Sequence, residues 1–201
     1  MKNIILIGAG GHCNSCIDVI ELEKKYKIIG LVDNKKKIKN LKYKILGNDK
    51  NLNFLLTKYK FAHISIGQIK NVKKREEIFL NLKKIGFKIP SIISPLAYVS
   101  PKAKIGEGTI VMHGAIINRG AVIGKNCIVN TKALIEHDVF VGNNCHVSTR
   151  STLNGGVILG NNSFIGSHAI LKQNIKVGKN CFINANLFVN KNIKNNSRIY
   201  E

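Results

Sequence analysis

Residues 105–147 read IGEGTIVMHGAIINRGAVIGKNCIVNTKALIEHDVFVGNNCHV, and this stretch decides the fold. Every sixth residue from Ile93 to Val189 is Ile, Val or Leu, without exception. Glycine follows one of these residues at intervals of eighteen, at Gly106, Gly124, Gly142, Gly160 and Gly178. A period of six that closes into a period of eighteen describes a coil with three sides, each side a short strand. Repeats of this kind predict a parallel β-helix.

A second inward layer supports the same register. The residue four positions after each aliphatic is usually small, as at Thr109, Ala115, Ala121, Cys127, Ala133, Cys145, Ser151, Ser163, Ala169 and Cys181. The exceptions are still apolar: Val139, Val157, Ile175 and Leu187. A narrow prism needs one bulky and one small inward residue on each side, because protein interiors pack to near-crystalline density. We therefore expect the three coil cysteines to be stacked and buried.

The preceding residues alternate apolar runs with helical patterns. Strands are predicted at 3–8, 27–32 and 61–66, with a weak one at 43–46, and helices at 13–26, 51–59 and 71–85. Strands that alternate with helices indicate a small parallel sheet. All three prolines fall in 90–101 and join this part to the coil. We predict an α/β domain at 1–90, a small Rossmann-like sheet, followed by a β-helix domain at 91–201.

The first turn after a strand, GAGGH at 8–12, is a candidate phosphate-binding loop. Its glycines let backbone N–H groups approach an anion at a helix N-terminus. The dinucleotide fingerprint is incomplete because its last position is Cys13, so NAD is not predicted. Asp33-Asn34 and Gly67 end two other strands at the same carboxyl edge, where ligands of such sheets bind. His12 fits either a ligand contact or a residue that starts the helix.

Composition limits the choice of partners. The net charge is +21, from 32 Lys and Arg against 11 Asp and Glu, which raises nucleic acid or an anionic membrane as partners. The lysines are spread along the chain, however, without a dense basic run and interleaved aromatics. We expect neither nucleic acid nor membrane binding, and keep open a locally basic cleft for a phosphorylated ligand.

The five cysteines do not suggest a disulfide framework. Cys127, Cys145 and Cys181 share the small-residue register and are more simply explained by packing than by metal binding. No secretory signal or long apolar stretch is present. We expect a cytoplasmic protein with reduced thiols and no metal.

One histidine stands apart from the other five. The only acidic residues between Gly108 and Tyr200 are Glu136 and Asp138, and they flank His137, two positions after an inward aliphatic. A carboxylate beside an imidazole fixes its tautomer and stabilises the imidazolium that forms when the ring accepts a proton. The alternative is a solvated polar corner.

The remaining histidines are less distinctive. His113 and His168 lack acidic neighbours in the sequence, and we expect them to face solvent. His63 alternates within a strand and is expected to be structural. His146 follows His137 by nine residues and could share its part of the surface.

Six stretches together resemble one enzyme family: GAGGH (8–12), LVDN (31–34), SIG (65–67), SPLAYVSPKAKIGEGTIV (94–111), IVNTKALIEHD (128–138) and NNCHV (143–147). The chain resembles the hexapeptide-repeat sugar acetyltransferases, which include sialic acid O-acetyltransferases and the UDP-4-amino-sugar N-acetyltransferases of the bacillosamine pathway. The resemblance covers nearly the whole chain and implies a left-handed β-helix. The glycine-rich stretch and Gly-x-Pro-Ala tail usual in the last coil are replaced here by Ile183-Asn184-Ala185-Asn186 and a Lys/Asn-rich end.

The resemblance also implies roles for individual residues. It makes His137 the general base and Asp138 the acid that orients it. The nucleotide-sugar contacts that it implies are Gly10, Gly11, His12, Asp33, Asn34, Gly67 and, at the acceptor, Asn130. The acetyl-CoA contacts that it implies are His146, Gly155, Gly166 and Ala185, with a main-chain N–H available for the thioester oxygen. It further implies a homotrimer with CoA between neighbouring coils.

Three functions remain open at this point. The first is acetyl-CoA-dependent N-acetylation of a nucleotide-linked amino sugar by direct attack, with no covalent enzyme intermediate. The second is O-acetylation of a sialic-acid-like sugar with the same residues, since a base beside a thioester serves either nucleophile. The third is a non-catalytic hexapeptide-repeat binding protein, against which the retained acidic residues around His137 argue.

Overall fold

The computed structural model describes residues 1–34, 42–69 and 71–201. The first part of the chain forms an α/β unit around a four-stranded parallel sheet, whose strands lie side by side in the order 45–47, 26–32, 2–7 and 61–64. Its elements are β1 (Lys2–Ile7), α1 (Gly11–Glu23), β2 (Tyr26–Val32), β3 (Ile45–Gly47), a 3₁₀ turn (Asp49–Asn51), α2 (Leu52–Lys58), β4 (Phe61–Ile64) and α3 (Lys73–Ile85). None of these helices has the length and apolarity needed to cross a bilayer, a statement limited to the residues described.

The element boundaries differ from the predicted ones by a few residues. Helix α1 begins at Gly11, two residues earlier than predicted, because Gly10 already has extended backbone at the N-cap. It ends at Glu23, since Lys24 adopts the left-handed conformation that closes a helix. Strand β3 starts at Ile45, so it overlaps the weak strand predicted at 43–46 only in part. Most of the Lys-rich loop before it lies outside the described residues.

The second part of the chain is a coil of two-residue strands. In order they are β5 (Ile92–Ile93), β6 (Tyr98–Val99), β7 (Lys104–Ile105), β8 (Ile110–Val111), β9 (Ile116–Ile117), β10 (Val122–Ile123), β11 (Ile128–Val129), β12 (Leu134–Ile135), β13 (Phe140–Val141), β14 (His146–Val147), β15 (Thr152–Leu153), β16 (Ile158–Leu159), β17 (Phe164–Ile165), β18 (Ile170–Leu171), β19 (Lys176–Val177), β20 (Phe182–Ile183), β21 (Phe188–Val189) and β22 (Arg198–Ile199). Every strand pairs in parallel with the strand one turn away, so the coil is a three-sided parallel β-helix.

Three sheets form the sides of this prism. The first face consists of β5, β8, β11, β14, β17, β20 and β22, the second of β6, β9, β12, β15, β18 and β21, and the third of β7, β10, β13, β16 and β19. We call the turn from the first to the second face the first corner, the next turn the second corner, and the turn back to the first face the third corner. Partners across neighbouring turns are eighteen residues apart, as between Ile128 and His146, except in the last pair, where Phe182 and Arg198 are sixteen residues apart.

The interior of the prism confirms the predicted register. The aliphatic at every sixth position from Val111 to Ile183 is at most 2% exposed, and the small residues between them are buried as well. Cys127, Cys145 and Cys181 are buried and free, and they lie in one column at the third corner. The N–H of Cys145 points at the sulfur of Cys127, at 3.4 Å.

Asparagine makes most of the turns at the third corner. Asn126, Asn144, Asn162 and Asn180 have φ between 56° and 63°, the left-handed region that asparagine tolerates better than most residues. Their side chains also bond along the column, with Nδ2 of Asn126 donating to Oδ1 of Asn144 at 2.9 Å. The asparagines at this corner thus have both a conformational and a hydrogen-bonding reason.

The α/β unit packs on the first face of the prism. Apolar residues of α1, including Cys13, Cys16 and Ile17, share one buried cluster with the outward residues Ile110 and Ile128 of the coil. Farther along the same face the contact becomes polar. The buried Arg75 of α3 donates to the carbonyls of Ile64 and Ile66 at 2.8 and 2.7 Å, and to that of Asn126 at 3.3 Å.

The expectation that His113 faces solvent without an acidic neighbour is wrong. Its Nε2 lies 2.8 Å from Oδ2 of Asp18 and its Nδ1 lies 2.7 Å from Oγ of Ser94. The partner comes from α1, ninety-five residues away in the chain, so no local pattern could show it. His168 is exposed and His63 is buried in β4, as predicted.

Candidate active site

A cavity of about 690 Å³ opens at the carboxyl ends of β1, β2 and β4. Its wall includes six residues that the sequence singled out: Gly10, Gly11, His12, Asp33, Asn34 and Gly67. The parallel strands bring these segments together, because their carboxyl ends meet at one edge of the sheet. A cavity of this size lies within the usual range for small-molecule sites.

The turn that starts α1 shapes one side of the cavity. A Cβ added to Gly10 or Gly11 would meet no atom within 4 Å, so backbone is open to the cavity there. The N–H of Ala9 donates to Oδ2 of Asp33 at 2.8 Å, which ties the turn to the end of β2. Across the opening, Nδ2 of Asn34 donates to Oδ2 of Asp49 at 2.7 Å. These bonds fix the segments that form the edge of the cavity.

His12 is both a helix-start residue and part of the cavity wall. It is the second residue of α1, and its Cβ lies 3.3 Å from the position that a Cβ of Gly67 would take. Burial, together with the positive charge of Arg75 and the nearby His146, lowers the pKa of His12 to about 3. Its Nε2 is buried and has no hydrogen-bond partner among the described residues. The ring is therefore neutral near pH 7, and its Nε2 is enclosed by protein.

His137 lies at the second corner, between β12 and β13. Its Nδ1 is 3.0 Å from Oδ2 of Asp138, while its backbone N–H donates to Oε2 of Glu136 at 3.3 Å. Asn118, one turn earlier, donates from Nδ2 to the same Glu136 oxygen at 3.0 Å. A carboxylate can only accept, so Nδ1 carries the hydrogen and Nε2 is the basic nitrogen. The side chain of His137 is 58% exposed, so this nitrogen can reach a ligand.

Gly155 lies one turn above His137 at the same corner. A Cβ at position 155 would stand 2.6 Å from both Cε1 and Nε2 of His137, so the ring occupies the space that a larger residue would take. Gly120, one turn below Asp138, serves the same purpose: a Cβ there would stand 2.3 Å from Oδ1 of Asp138. The N–H of Gly155 donates to no group in the part of the chain that the structure describes.

The other predicted contacts lie elsewhere on the prism. Asn130 is at the first corner, and its Nδ2 is 3.1 Å from Nε2 of His146. His146 is buried on the first face and does not share the corner of His137. Gly166 and Ala185 meet at the first corner, where a Cβ on Gly166 would lie 2.5 Å from the N of Ala185. Within one chain the candidates therefore form two groups at different corners.

Several residues at these places were not predicted. Lys74, Asp49 and Ser65 line the α/β cavity, and Asn118 and Gly120 support the second corner. For the last two, the eighteen-residue period was the available signal, because it places them one turn before Glu136 and Asp138. In the part of the chain that the structure describes, no cluster of His, Cys, Asp and Glu could hold a metal ion.

Three family models match the sequence. The PglD N-terminal domain matches residues 3–82, the bacterial transferase hexapeptide (six repeats) matches 138–173, and the hexapeptide repeat of succinyl-transferase matches 156–191. The first covers the α/β cavity, and the other two cover coils from the second corner at Asp138 onward.

Solved structures resemble the whole chain. The acetyltransferase domain of PglB from Neisseria gonorrhoeae FA1090, in complex with acetyl coenzyme A, is 29% identical with a TM-score of 0.92, over 98% of this chain and 95% of that one. PerB from Caulobacter crescentus, in complex with CoA and GDP-perosamine, is 28% identical with a TM-score of 0.91, over 97% and 92%.

WeeI from Acinetobacter baumannii AYE, at 18% identity and a TM-score of 0.76 over 98% of this chain and 96% of that one, shares the fold. Two variants of the Caulobacter enzyme, in which one histidine is replaced by Asn or Ala, also hold CoA and GDP-perosamine. The matches confirm the predicted resemblance and the predicted fold class.

Proposed function

We propose that the chain is a hexapeptide-repeat acyltransferase with a PglD-type N-terminal domain, which transfers the acetyl group of acetyl-CoA to the amino group of a nucleotide-linked sugar. The observation that carries the proposal is the second corner. There a basic imidazole nitrogen, an orienting carboxylate and an unengaged backbone N–H lie within one turn of each other.

The α/β cavity is the proposed site of the nucleotide. Gly10 and Gly11 expose backbone at the N-terminus of the thirteen-residue α1, which favours a diphosphate. Lys74 lines the same cavity and adds a positive charge. Asp33 and Asn34 supply acceptors and a donor for ribose or base, and the relative that holds GDP-perosamine supports a nucleotide-sugar ligand.

The proposed chemistry is direct transfer. The amine nitrogen attacks the thioester carbonyl carbon, and Nε2 of His137 takes a proton from that nitrogen as the C–N bond forms. The N–H of Gly155 donates to the oxygen on which negative charge develops. The C–S bond then breaks, and the CoA sulfur leaves with the proton held by His137. Asp138 keeps the ring in the correct tautomer and stabilises its charged form.

A homotrimer is the assembly that we propose. The second face carries an outward apolar stripe in which Tyr98, Ile116, Ile170 and Phe188 are at least 41% exposed. The first and second corners flank this face. Three prisms that turn their second faces toward a common axis place the first corner of one chain beside the second corner of the next. Asn130, with Gly166 and Ala185, would then face His137 and Gly155 of a neighbour and complete the site.

A thiol-release assay tests the function. Acetyl-CoA is supplied with a panel of UDP-, GDP- and dTDP-linked amino sugars, with free sialic acids as the competing class. We expect release of CoA thiol with at least one nucleotide-linked amino sugar, and an acetamide in the product by mass spectrometry. Turnover with sialic acids alone would show an O-acetyltransferase, and binding without turnover would show a non-catalytic protein.

A further inference from the structure

His146 lies where the α/β unit covers the first face. It is the outward residue of β14, between Ile128 and Phe164 on the neighbouring strands, and is 5% exposed. Its ring meets the ring of Phe164 edge-on, with centroids 5.2 Å apart. Both ring nitrogens have partners within the chain, which leaves neither of them free for a thioester.

These partners define the tautomer of the ring. Nδ1 is bonded to the backbone carbonyl of Gln68, and a carbonyl can only accept, so Nδ1 carries the hydrogen. Nε2 faces Nδ2 of Asn130 at 3.1 Å, and an amide nitrogen only donates, so Nε2 is bare. Burial, with the charge of Arg75, lowers the pKa of His146 to about 4 against the opposing effect of the Gln68 bond, and the ring is therefore neutral near pH 7.

The amide of Asn130 is fixed from both ends. Its Oδ1 accepts the backbone N–H of Thr131 at 2.8 Å, which assigns the oxygen independently of the histidine. One Nδ2 hydrogen goes to His146, and the second remains for a ligand. If Nε2 of His146 were protonated or removed, the amide would lose the bond that holds its nitrogen side.

The same chain of bonds reaches the α/β cavity. Gly67 lines that cavity, and the next residue is the Gln68 whose carbonyl binds His146. The side chain of Gln68 is anchored as well, because Nε2 donates to the carbonyl of Asn144 at 2.7 Å. Gln68, which follows the cavity-lining Gly67 in the chain, is thus joined through His146 to Asn130 by two successive hydrogen bonds.

We propose that His146 is a positioning residue, which fixes the amide of Asn130 for the acceptor sugar and takes its own orientation from the cavity wall. The inference rests on the proposed function in one respect, that Asn130 faces the acceptor. It differs from the role that the resemblance implies, a contact of His146 with acetyl-CoA.

Two substitutions separate the two bonds of the ring. Asparagine at 146 can still donate to the Gln68 carbonyl but places no acceptor before Asn130. Glutamine at 146 carries an oxygen near the position of Nε2 and can accept from Asn130. We expect kcat to fall about 10- to 100-fold in His146→Asn, the cost of a misplaced contact group, and to fall less in His146→Gln, which keeps the acceptor for Asn130 but loses the donor to Gln68. The KM for acetyl-CoA should be unchanged in both, whereas a rise in both would overturn the proposal.

A double-mutant cycle tests whether His146 acts through Asn130. If it does, adding His146→Asn to Asn130→Ala costs nothing further in kcat/KM, because the partner is already gone. Losses that multiply in the double variant would show an independent role and contradict the proposal.

The tautomer is measured without any turnover. In protein labelled with ¹⁵N-histidine, the signal that disappears in His146→Gln should report Nδ1–H and a bare Nε2 at pH 7, and its Nε2 shift should move in Asn130→Ala. An Nε2–H tautomer, or no response to Asn130→Ala, would refute the inference whether or not acetyl transfer is found. Failure of the wild-type protein to release CoA thiol would instead refute the proposed function and leave the tautomer result to be judged separately.

Discussion

More than half of the His137 side chain is exposed to solvent, yet its neighbours restrict the orientation of the ring. Asp138 holds Nδ1, and Gly155 offers the ring a place that any other residue would fill. The acid and the base both lie on a packed core that does not depend on them. Substitutions of these side chains should therefore impair catalysis without lowering the stability of the fold.

Replacing His137 by alanine should lower kcat about 10²- to 10⁴-fold, the usual contribution of a general base. The melting temperature and the binding of acetyl-CoA should change little. Asp138→Asn should cost less, because it orients the base and does not itself take the substrate proton. Steady-state kinetics and thermal unfolding of both variants check this, and wild-type turnover in His137→Ala would end the catalytic interpretation of the residue.

The pH dependence of the His137 variant reports the nucleophile. An amine acceptor is increasingly deprotonated as the pH rises, so high pH should partly restore His137→Ala. A hydroxyl acceptor would show no comparable recovery below about pH 10, since a hydroxyl stays protonated there.

Gly155→Ala should impair catalysis while the fold survives. The added methyl group meets the end of the His137 side chain, which can swing away, so the base leaves its place; a loss of about 10²-fold in kcat is expected. Gly160→Ala is the matched contrast, because its methyl group would meet backbone of Gly178 at 2.6 Å. It should lower the melting temperature and spare the kcat of the folded fraction. The reverse pattern would show that Gly155 is needed for folding alone.

The sequence predicts only some of the residues that form this corner and its surroundings. The concentration of acid around His137 is visible in the sequence, because Glu136 and Asp138 are the only acidic residues between Gly108 and Tyr200. The bond between His113 and Asp18 was not visible, since it joins elements that only the packing of α1 on the first face brings together. Neither could local spacing show that both nitrogens of His146 are engaged.

At the scale of elements, the α/β unit and its contact with the coil contain buried histidines that are neutral in the folded protein. Burial, aided by the charge of Arg75, lowers the pKa of His63 and of His12 to about 3, and that of His146 to about 4. The unfolded chain takes up these protons near pH 6.5, whereas the folded chain does not. Stability from this contact is thus complete above pH 6.5 and is lost as the pH falls toward 4.

The slope of stability with pH measures this effect. Each such histidine lowers the free energy of unfolding by about 1.4 kcal/mol for each pH unit of acidification between pH 6 and 4. The three together therefore lower it by about 4 kcal/mol per pH unit. Urea unfolding at pH 7.5, 6 and 5 should show this fall, and His63→Gln should reduce the slope by about a third. The exposed His168→Gln is the control and should leave the slope unchanged. An unaltered slope in His63→Gln would mean that the ring is charged in the folded protein.

Elements of the coil were more predictable than those of the sheet. A six-residue period places every strand from β5 to β21, because each inward position repeats the same packing problem. The ends of α1 and β3 depend on single residues, the extended Gly10 and the left-handed Lys24 at α1 and the pairing partner of Ile45 at β3. Such features are decided by tertiary contact more than by pattern.

At the scale of the whole molecule, the two corners predict complementation between inactive chains. If a site uses His137 of one chain and Asn130 of the next, mixing His137→Ala with Asn130→Ala in equal amounts restores about a quarter of the sites of a cyclic trimer. Chains are mixed by joint refolding and assayed, and sedimentation gives their size. His137→Ala mixed with Asp138→Asn, which alter the same corner, should recover far less. A fully active monomer would disprove the shared site.

The regular column of corners also means that the prism grows in equal steps along its axis. Parallel strands lie about 4.8 Å apart, so each eighteen residues advance a side chain by that step and leave its direction unchanged. Eighteen inserted residues lengthen any groove along a corner by one such step, and every side chain beyond the insertion keeps its direction. Six inserted residues shift the remainder of the prism by one face, so the outward residues beyond that point no longer meet their present neighbours outside the prism. Along the regular part of the prism, length can therefore change without loss of those neighbours only in whole steps, and the shorter spacing from Phe182 to Arg198 occurs only at its end.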